Sequence, residues 1–245
     1  MSILTIIAFC AYLLVVVIIA LTAYFVTKNL SDFVLGGRSL GGPVAALSAG
    51  ASDMSAWLLL GLPGAVFSFG LNQIWLPIGL TIGAYISWRI LAKPLRLFSE
   101  IAQDSLTVPA YLDNRFFDRS GIIRISLALI TLTFFAFYTA SGLVAAAMLM
   151  QQFGLNYLQA LFIGTSIIVA YTFIGGFLAV SLTDFFQGTL MFLFLLIVPY
   201  MASKALGGWQ PTLDMITQEG PEYLDPMNQF NGLLFVNLMA WGLGY

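Results

Sequence analysis

Two carboxylates, Asp53 and Asp184, stand within or beside long apolar runs of this 245-residue chain. An ionised side chain at the centre of a bilayer costs about 2.5–3.5 kcal/mol on insertion scales, so it normally faces a cavity and has a partner. Asp53 lies in Ala46-Leu-Ser-Ala-Gly-Ala-Ser-Asp-Met-Ser-Ala-Trp57, with no arginine, lysine or histidine nearby to neutralise it. The companions on offer are the hydroxyls of Ser48, Ser52 and Ser55, with backbone carbonyls that a break in the helix would free. Gly50, Gly61, Pro63 and Gly64 punctuate the stretch, and residues 52–55 favour capping over continuous helix. Irregular backbone at this depth survives only where it lines a cavity or is covered by protein. Carboxylate, hydroxyl and carbonyl oxygens are hard ligands that suit a small cation such as sodium, and broken helices supply such sets in transporters. The plain alternative for Asp53 is a helix N-cap, or a protonated and hydrogen-bonded acid.

Asp184 ends Ser181-Leu-Thr-Asp184 after Gly175-Gly176, at the expected junction of two spans. Thr183 or Asp184 would make a good N-cap there; the functional alternative is a carboxylate on an ion path near the inner mouth. Four aromatic residues sit where a ligand could meet them. Trp57 is at i+4 from Asp53, and Tyr138 precedes the small residues Ser141, Gly142, Ala145 and Ala146. Trp241 and Tyr245 are again i, i+4, around Gly242 and Gly244. Singly each is ordinary packing or interface-belt material; together they mark plausible midplane positions.

No enzyme constellation emerges. The chain has no histidine and one cysteine, Cys10, so no disulfide framework or zinc-type cluster can form, and the usual general base is missing. There is no Gly-x-Ser-x-Gly and no phosphate loop; Gly36-Gly37-Arg38-Ser39-Leu40-Gly41-Gly42 is glycine-rich but lacks strand–helix context. Net charge is −2 with no basic tract, which argues against a nucleic-acid partner.

The elements that must carry these residues are membrane helices. Sixty per cent of the residues are hydrophobic and 8% charged, against about 25% charged in a soluble domain. At about 20 apolar residues per crossing, spans are expected at 3–26, 43–69, 73–92, 121–149, 157–177 and 184–203, with a seventh opening near 230 and cut off at Tyr245. The first run has no basic residue before it and is longer than a signal core, so it is read as a span. Residues 93–120 mix apolar and charged residues and are expected to form short helices along the inner surface, Pro109 ending one of them, or else a plain loop. Lys28, Arg38, Arg89, Lys93, Arg96, Arg115, Arg119 and Arg124 cluster in or beside the loops after spans 1 and 3. That bias puts those loops in the cytoplasm and the N-terminus outside. The expected fold class is an all-α membrane protein with six complete transmembrane helices plus the start of a seventh: one incomplete transmembrane domain over 1–245.

At these residues the chain resembles the sodium/solute symporter family. The resemblance runs through Phe33-Val-Leu-Gly-Gly-Arg-Ser-Leu-Gly41, Ala46-Leu-Ser-Ala-Gly-Ala-Ser-Asp-Met-Ser55 and Leu62-Pro-Gly-Ala-Val-Phe67. It continues in Tyr138-Thr-Ala-Ser-Gly-Leu-Val-Ala145, Tyr171-Thr-Phe-Ile-Gly-Gly-Phe-Leu-Ala-Val-Ser181 and Trp241-Gly-Leu-Gly-Tyr245. It implies a five-plus-five inverted-repeat transporter, with an extra first span at 3–26, the first repeat at 43–203 and the second opening at 230–245. It implies sodium binding by Asp53 and Ser55 with the carbonyls of Ala51 and Met54, and a substrate pocket containing Trp57, Tyr138, Trp241 and Tyr245. Arg38 matches a coupling arginine at the cytoplasmic mouth, and Asp184 an acid on the sodium path. Ala56 departs from the motif, where the similar proteins carry glycine.

The activity so implied is sodium-coupled symport of proline or a similar small amino acid across the cytoplasmic membrane, with sodium as coupling ion and no cofactor. A symporter for a sugar, vitamin or carboxylate is the near rival. The membrane sensing module of a receptor or sensor kinase is another, and a six-span scaffold a third. The resemblance implies a later span, not among these 245 residues, whose serine and threonine hydroxyls complete the sodium site, so this polypeptide is expected not to transport by itself.

Overall fold

A computed structural model describes residues 3–151, 153–228 and 231–243, which contain helices and turns and no strand. The helices are α1 (Ile3–Val26), α2 (Leu30–Leu35), α3 (Gly42–Ala56), α4 (Leu62–Phe69), α5 (Trp75–Ser87), α6 (Lys93–Ile101), α7 (Val108–Phe116), α8 (Ile122–Gln151), α9 (Tyr157–Ala205), α10 (Trp209–Glu219) and α11 (Gly232–Leu243). Among the described residues, four stretches are long and apolar enough to cross a membrane: Ile6–Val26, Leu62–Ile101, Ile122–Gln151 and Tyr157–Ala205. The chain is an all-α membrane protein. It divides into two compact units, residues 1–56 with 106–193 and residues 57–105 with 194–245.

Three local expectations are corrected. The backbone does not break at 52–55: α3 stays α-helical through Ala56, and the irregularity is a π-helical turn at Trp57–Gly61. A serine opens a helix only when its hydroxyl competes for nearby backbone, and Ser48 and Ser52 spend theirs elsewhere, as described below. Second, residues 178–183 are no junction. They lie inside α9, whose kink falls at Gly176 (φ 60°, ψ −153°), so Asp184 is eight residues into the following helix and is not its N-cap. Third, Pro109 opens a helix instead of ending one. It sits in the first turn of α7, whose N-cap Thr107 accepts a bond from the Ala110 amide at 3.3 Å. Proline suits that position because its missing N–H would have been unpaired anyway. The segment before it is α6, which follows α5 through a π turn at Trp88–Ala92.

Small residues make the contacts in the first unit. Ala20 and Ala23 of α1 pack on Ala179 of α9, and all three are buried. Lipid is as apolar as a leucine, so close packing, not escape from water, holds such helices together. In the second unit Leu76 and Leu80 of α5 meet Leu238 of α11, with Trp57, Trp75 and Leu234 around them. Gly79 makes that approach possible: a Cβ there would stand 3.0 Å from the Cα and carbonyl oxygen of Met239. The Trp75 indole donates to the Pro226 carbonyl at 3.0 Å and meets Phe235 edge-on at 5.5 Å.

The kink requires glycine twice over. Its φ/ψ pair is one that side-chain-bearing residues avoid, and a Cβ would lie 2.7 Å from the Phe33 ring and 2.8 Å from the Phe33 carbonyl oxygen. Gly176→Ala is expected to destabilise the protein by about 1–3 kcal/mol, read as a drop in the thermal unfolding midpoint in detergent. Gly164→Ala, where the nearest atom is the Met150 sulfur at 3.8 Å, should leave it unchanged. Equal midpoints for the two variants would contradict the kink's role.

Asp118 caps the start of α8. The Ser120 hydroxyl, then the amides of Ile123 and Ser120, donate to its carboxylate and hold it below its usual 3.8. A lowered folded value means these bonds stabilise the fold in full above pH 3.8 and lose their contribution as pH falls through the lower value. The midpoint gap between the native protein and Asp118→Asn should therefore be flat at neutral pH and close in acid. A gap that is constant into strong acid would contradict the cap.

Candidate functional site

In the first unit, Asp184 is buried on α9, and both its donors come from α3. The Ser48 hydroxyl donates to Asp184 Oδ2 at 2.9 Å and the Ser52 hydroxyl to the same oxygen at 2.7 Å. Ser48 and Ser52 are i, i+4, one above the other on one helix face, which is what lets two hydroxyls converge on one oxygen. These are the serines expected to serve Asp53; the structure gives them to Asp184. Ser181 and Thr183, within three residues of the carboxylate, are fully buried, and their hydroxyls find no partner among the described residues.

Asp53 is placed differently. It is exposed, and no hydrogen bond or ion pair engages its carboxylate among the described residues. It lines a cleft of about 480 Å³ with Ala49, Ser52, Phe134, Phe135 and Tyr138. The Tyr138 hydroxyl shares its one proton between the nearer Ser52 carbonyl and the Asp53 carbonyl at 3.0 Å, and its ring meets Phe135 edge-on at 6.1 Å. A carbonyl oxygen has two lone pairs, so these bonds can coexist with the helix ladder. Tyr138 is thus fastened to the backbone of the residue whose carboxylate is left over. An unengaged carboxylate at a cleft with carbonyl and hydroxyl oxygens around it fits a hard cation such as sodium.

The remaining expected site residues are spread over both units. Ala51 is half-buried on α3, facing Gly188. The backbone of Met54 and Ser55 continues α3, and their side chains, like the whole of Tyr245, lie outside what the structure describes. Arg38 ends the tight turn after α2 with φ 54° and is half-buried. In the second unit Trp57 packs on the cluster of Leu76, Leu80 and Leu238. Its indole explains Gly61, where a Cβ would come within 2.6 Å of the ring. Trp241 on α11 is 60% exposed.

Sequence reasoning missed the serine–Asp184 clasp and a second polar contact of α9, from the Gln187 amide to the Tyr12 hydroxyl. Both leave one signal: polar residues at helical spacing inside apolar runs.

The sodium:solute symporter family description matches residues 33–245, which include every site residue expected from the sequence. The chain belongs to the sodium:solute symporter family. It is 47% identical over 240 residues to the sodium/proline symporter of Salmonella typhimurium, covering 98% of this chain and 48% of that one. It is 48% identical to the sodium/proline symporter of Escherichia coli over 98% of this chain and 48% of that one. It is 45% identical to the osmoregulated proline transporter OpuE of Bacillus subtilis, over 100% of this chain and 50% of that one. The chain therefore spans about half the length of the curated relatives it matches. No solved structure matches it. The family and these relatives are transporters by name, not enzymes.

Removing either hydroxyl from a buried acid should cost about 1–3 kcal/mol. Ser48→Ala and Ser52→Ala are each expected to lower the thermal unfolding midpoint. Because both bonds end on one oxygen, each single loss is softened by the remaining donor and the double variant should exceed the sum. Strict additivity, or no loss from either, would show that the clasp is not formed.

Proposed function

We propose that this chain carries the sodium site and part of the substrate pocket of a secondary active symporter for proline or a similar small amino acid in the cytoplasmic membrane. Residues 3–26 are then the extra first span, 43–203 the first of two inverted repeats and 230–245 the start of the second. The N-terminus lies outside, and the loops after spans 1 and 3 lie in the cytoplasm. Sodium is held by the Asp53 carboxylate, the Ser55 hydroxyl and the carbonyls of Ala51 and Met54. Trp57, Tyr138, Trp241 and Tyr245 meet the substrate, Asp184 stands on the ion path and Arg38 at the inner mouth.

The observation that carries this reading is the Tyr138 hydroxyl bonded at the Asp53 carbonyl. It joins a substrate residue to the backbone of a sodium residue, so a change at one is felt at the other. Sodium favours the conformer in which α3 presents Tyr138 correctly, and substrate must tighten sodium by the same factor. With both bound, the repeats rock about the site and release them inside. Names of relatives add weight: the two enterobacterial proteins are called sodium/proline symporters and the third a proline transporter.

Proteoliposomes holding the full-length chain that contains these residues should accumulate radiolabelled proline only under an inward sodium gradient. Tyr138→Phe should raise the half-saturating concentrations of proline and of sodium together, each by about fivefold for the loss of one hydrogen bond. Uptake indifferent to sodium would overturn the proposal. An excess of a sugar or vitamin that competes better than proline would redirect it to another solute.

A further inference from the structure

Helix α1 precedes both the residues matched by the family description, 33–245, and the proposed repeat at 43–203, so nothing so far gives it a part in transport. Yet it reaches the stretch of α9 that carries Asp184. The Gln187 amide donates to the Tyr12 hydroxyl oxygen. The Tyr12 ring stacks on Phe186 at 6.3 Å and 22°, and on Phe9 at 6.4 Å and 28°. Further along, Ala20 and Ala23 of α1 pack on Ala179. Helix α1 thus grips α9 on both sides of Asp184. Gln187 is three residues beyond Asp184, on the same helical face. The carboxylate is aimed at Ser48 and Ser52 only if α9 keeps its rotation about its own axis. A polar contact surrounded by apolar side chains has no water to replace it, which makes it a strong restraint on that rotation.

We infer that Tyr12 is a positioning residue for Asp184: by holding Gln187 it sets the rotation of α9, and with it the affinity for sodium. This rests on the proposed function above, in which Asp184 lies on the ion path. Tyr12→Phe keeps the ring stack and removes only the hydroxyl. In the full-length chain that contains these residues, we expect it to raise the half-saturating sodium for proline uptake by about five- to tenfold, the size of one hydrogen bond. Maximal uptake per molecule at saturating sodium should stay within about twofold, since saturation offsets a weakened affinity. Gln187→Leu should give the same shift, and the double variant should be no worse than either, as expected of partners in one bond.

A fall in maximal uptake with half-saturating sodium unmoved would mean a merely structural contact and overturn the inference. Unequal shifts, or shifts that add, would overturn it too. Where Tyr12→Phe yields little protein, Gln187→Leu is judged alone on the same split. A sodium-dependent transporter in which neither variant moves the sodium response sinks this inference alone. Uptake independent of sodium in the unaltered protein sinks the symport reading as well.

Discussion

A carboxylate at membrane depth has to find its hydrogen-bond donors within the protein, and Asp184 finds them on a neighbouring helix. That demand orders much of the first unit. It draws α9 against α3, it requires serines one turn apart at 48 and 52, and it keeps those hydroxyls from attacking the backbone of their own helix. The α3 backbone consequently runs helical past Asp53 to Ala56. The same demand sorts the two acids. One is buried and satisfied; the other is left exposed at a cleft, next to carbonyls held by Tyr138. Asp184 holds two neutral donors, whereas the Asp53 carboxylate meets none among the described residues.

Close approach is the second organising device. Alanine faces alanine between α1 and α9, and Gly79 lets α11 come to backbone contact with α5. Larger side chains there would gain nothing from burial in lipid while holding the helices apart. The sharp change of direction in α9 likewise needs a residue without a Cβ at 176, because the carbonyl of Phe33 already occupies that space.

Much of this was legible in the residues. Apolar runs marked the chain as a helical membrane protein, since a bilayer leaves few other ways to satisfy a backbone, but six complete spans were expected where the described residues hold four long apolar stretches. The Ala46–Trp57 motif and the Tyr138 segment pointed to the residues that meet at the Asp53 cleft. What misled was local reasoning about polar side chains. Serines near Asp53 looked like its partners and like helix breakers, but their destination was a residue 132 to 136 positions away. Thr183-Asp184 looked like an N-cap because Ser-Leu-Thr-Asp after a glycine pair is a capping pattern, yet the kink had already been placed at Gly176 by packing on Phe33. Helical spacing marks the polar face of one helix, but it does not name a partner this distant in sequence. The link from Tyr12 to Gln187 is hidden for the same reason.

The most direct test is equilibrium binding of radiolabelled sodium to the purified full-length chain that contains these residues, with no substrate present. Substituting Asp53→Asn removes the charge without changing the size of the side chain. The account predicts that sodium binding is lost while the thermal unfolding midpoint stays at its native value, because that carboxylate supports no other group. Native sodium affinity in this variant would contradict it.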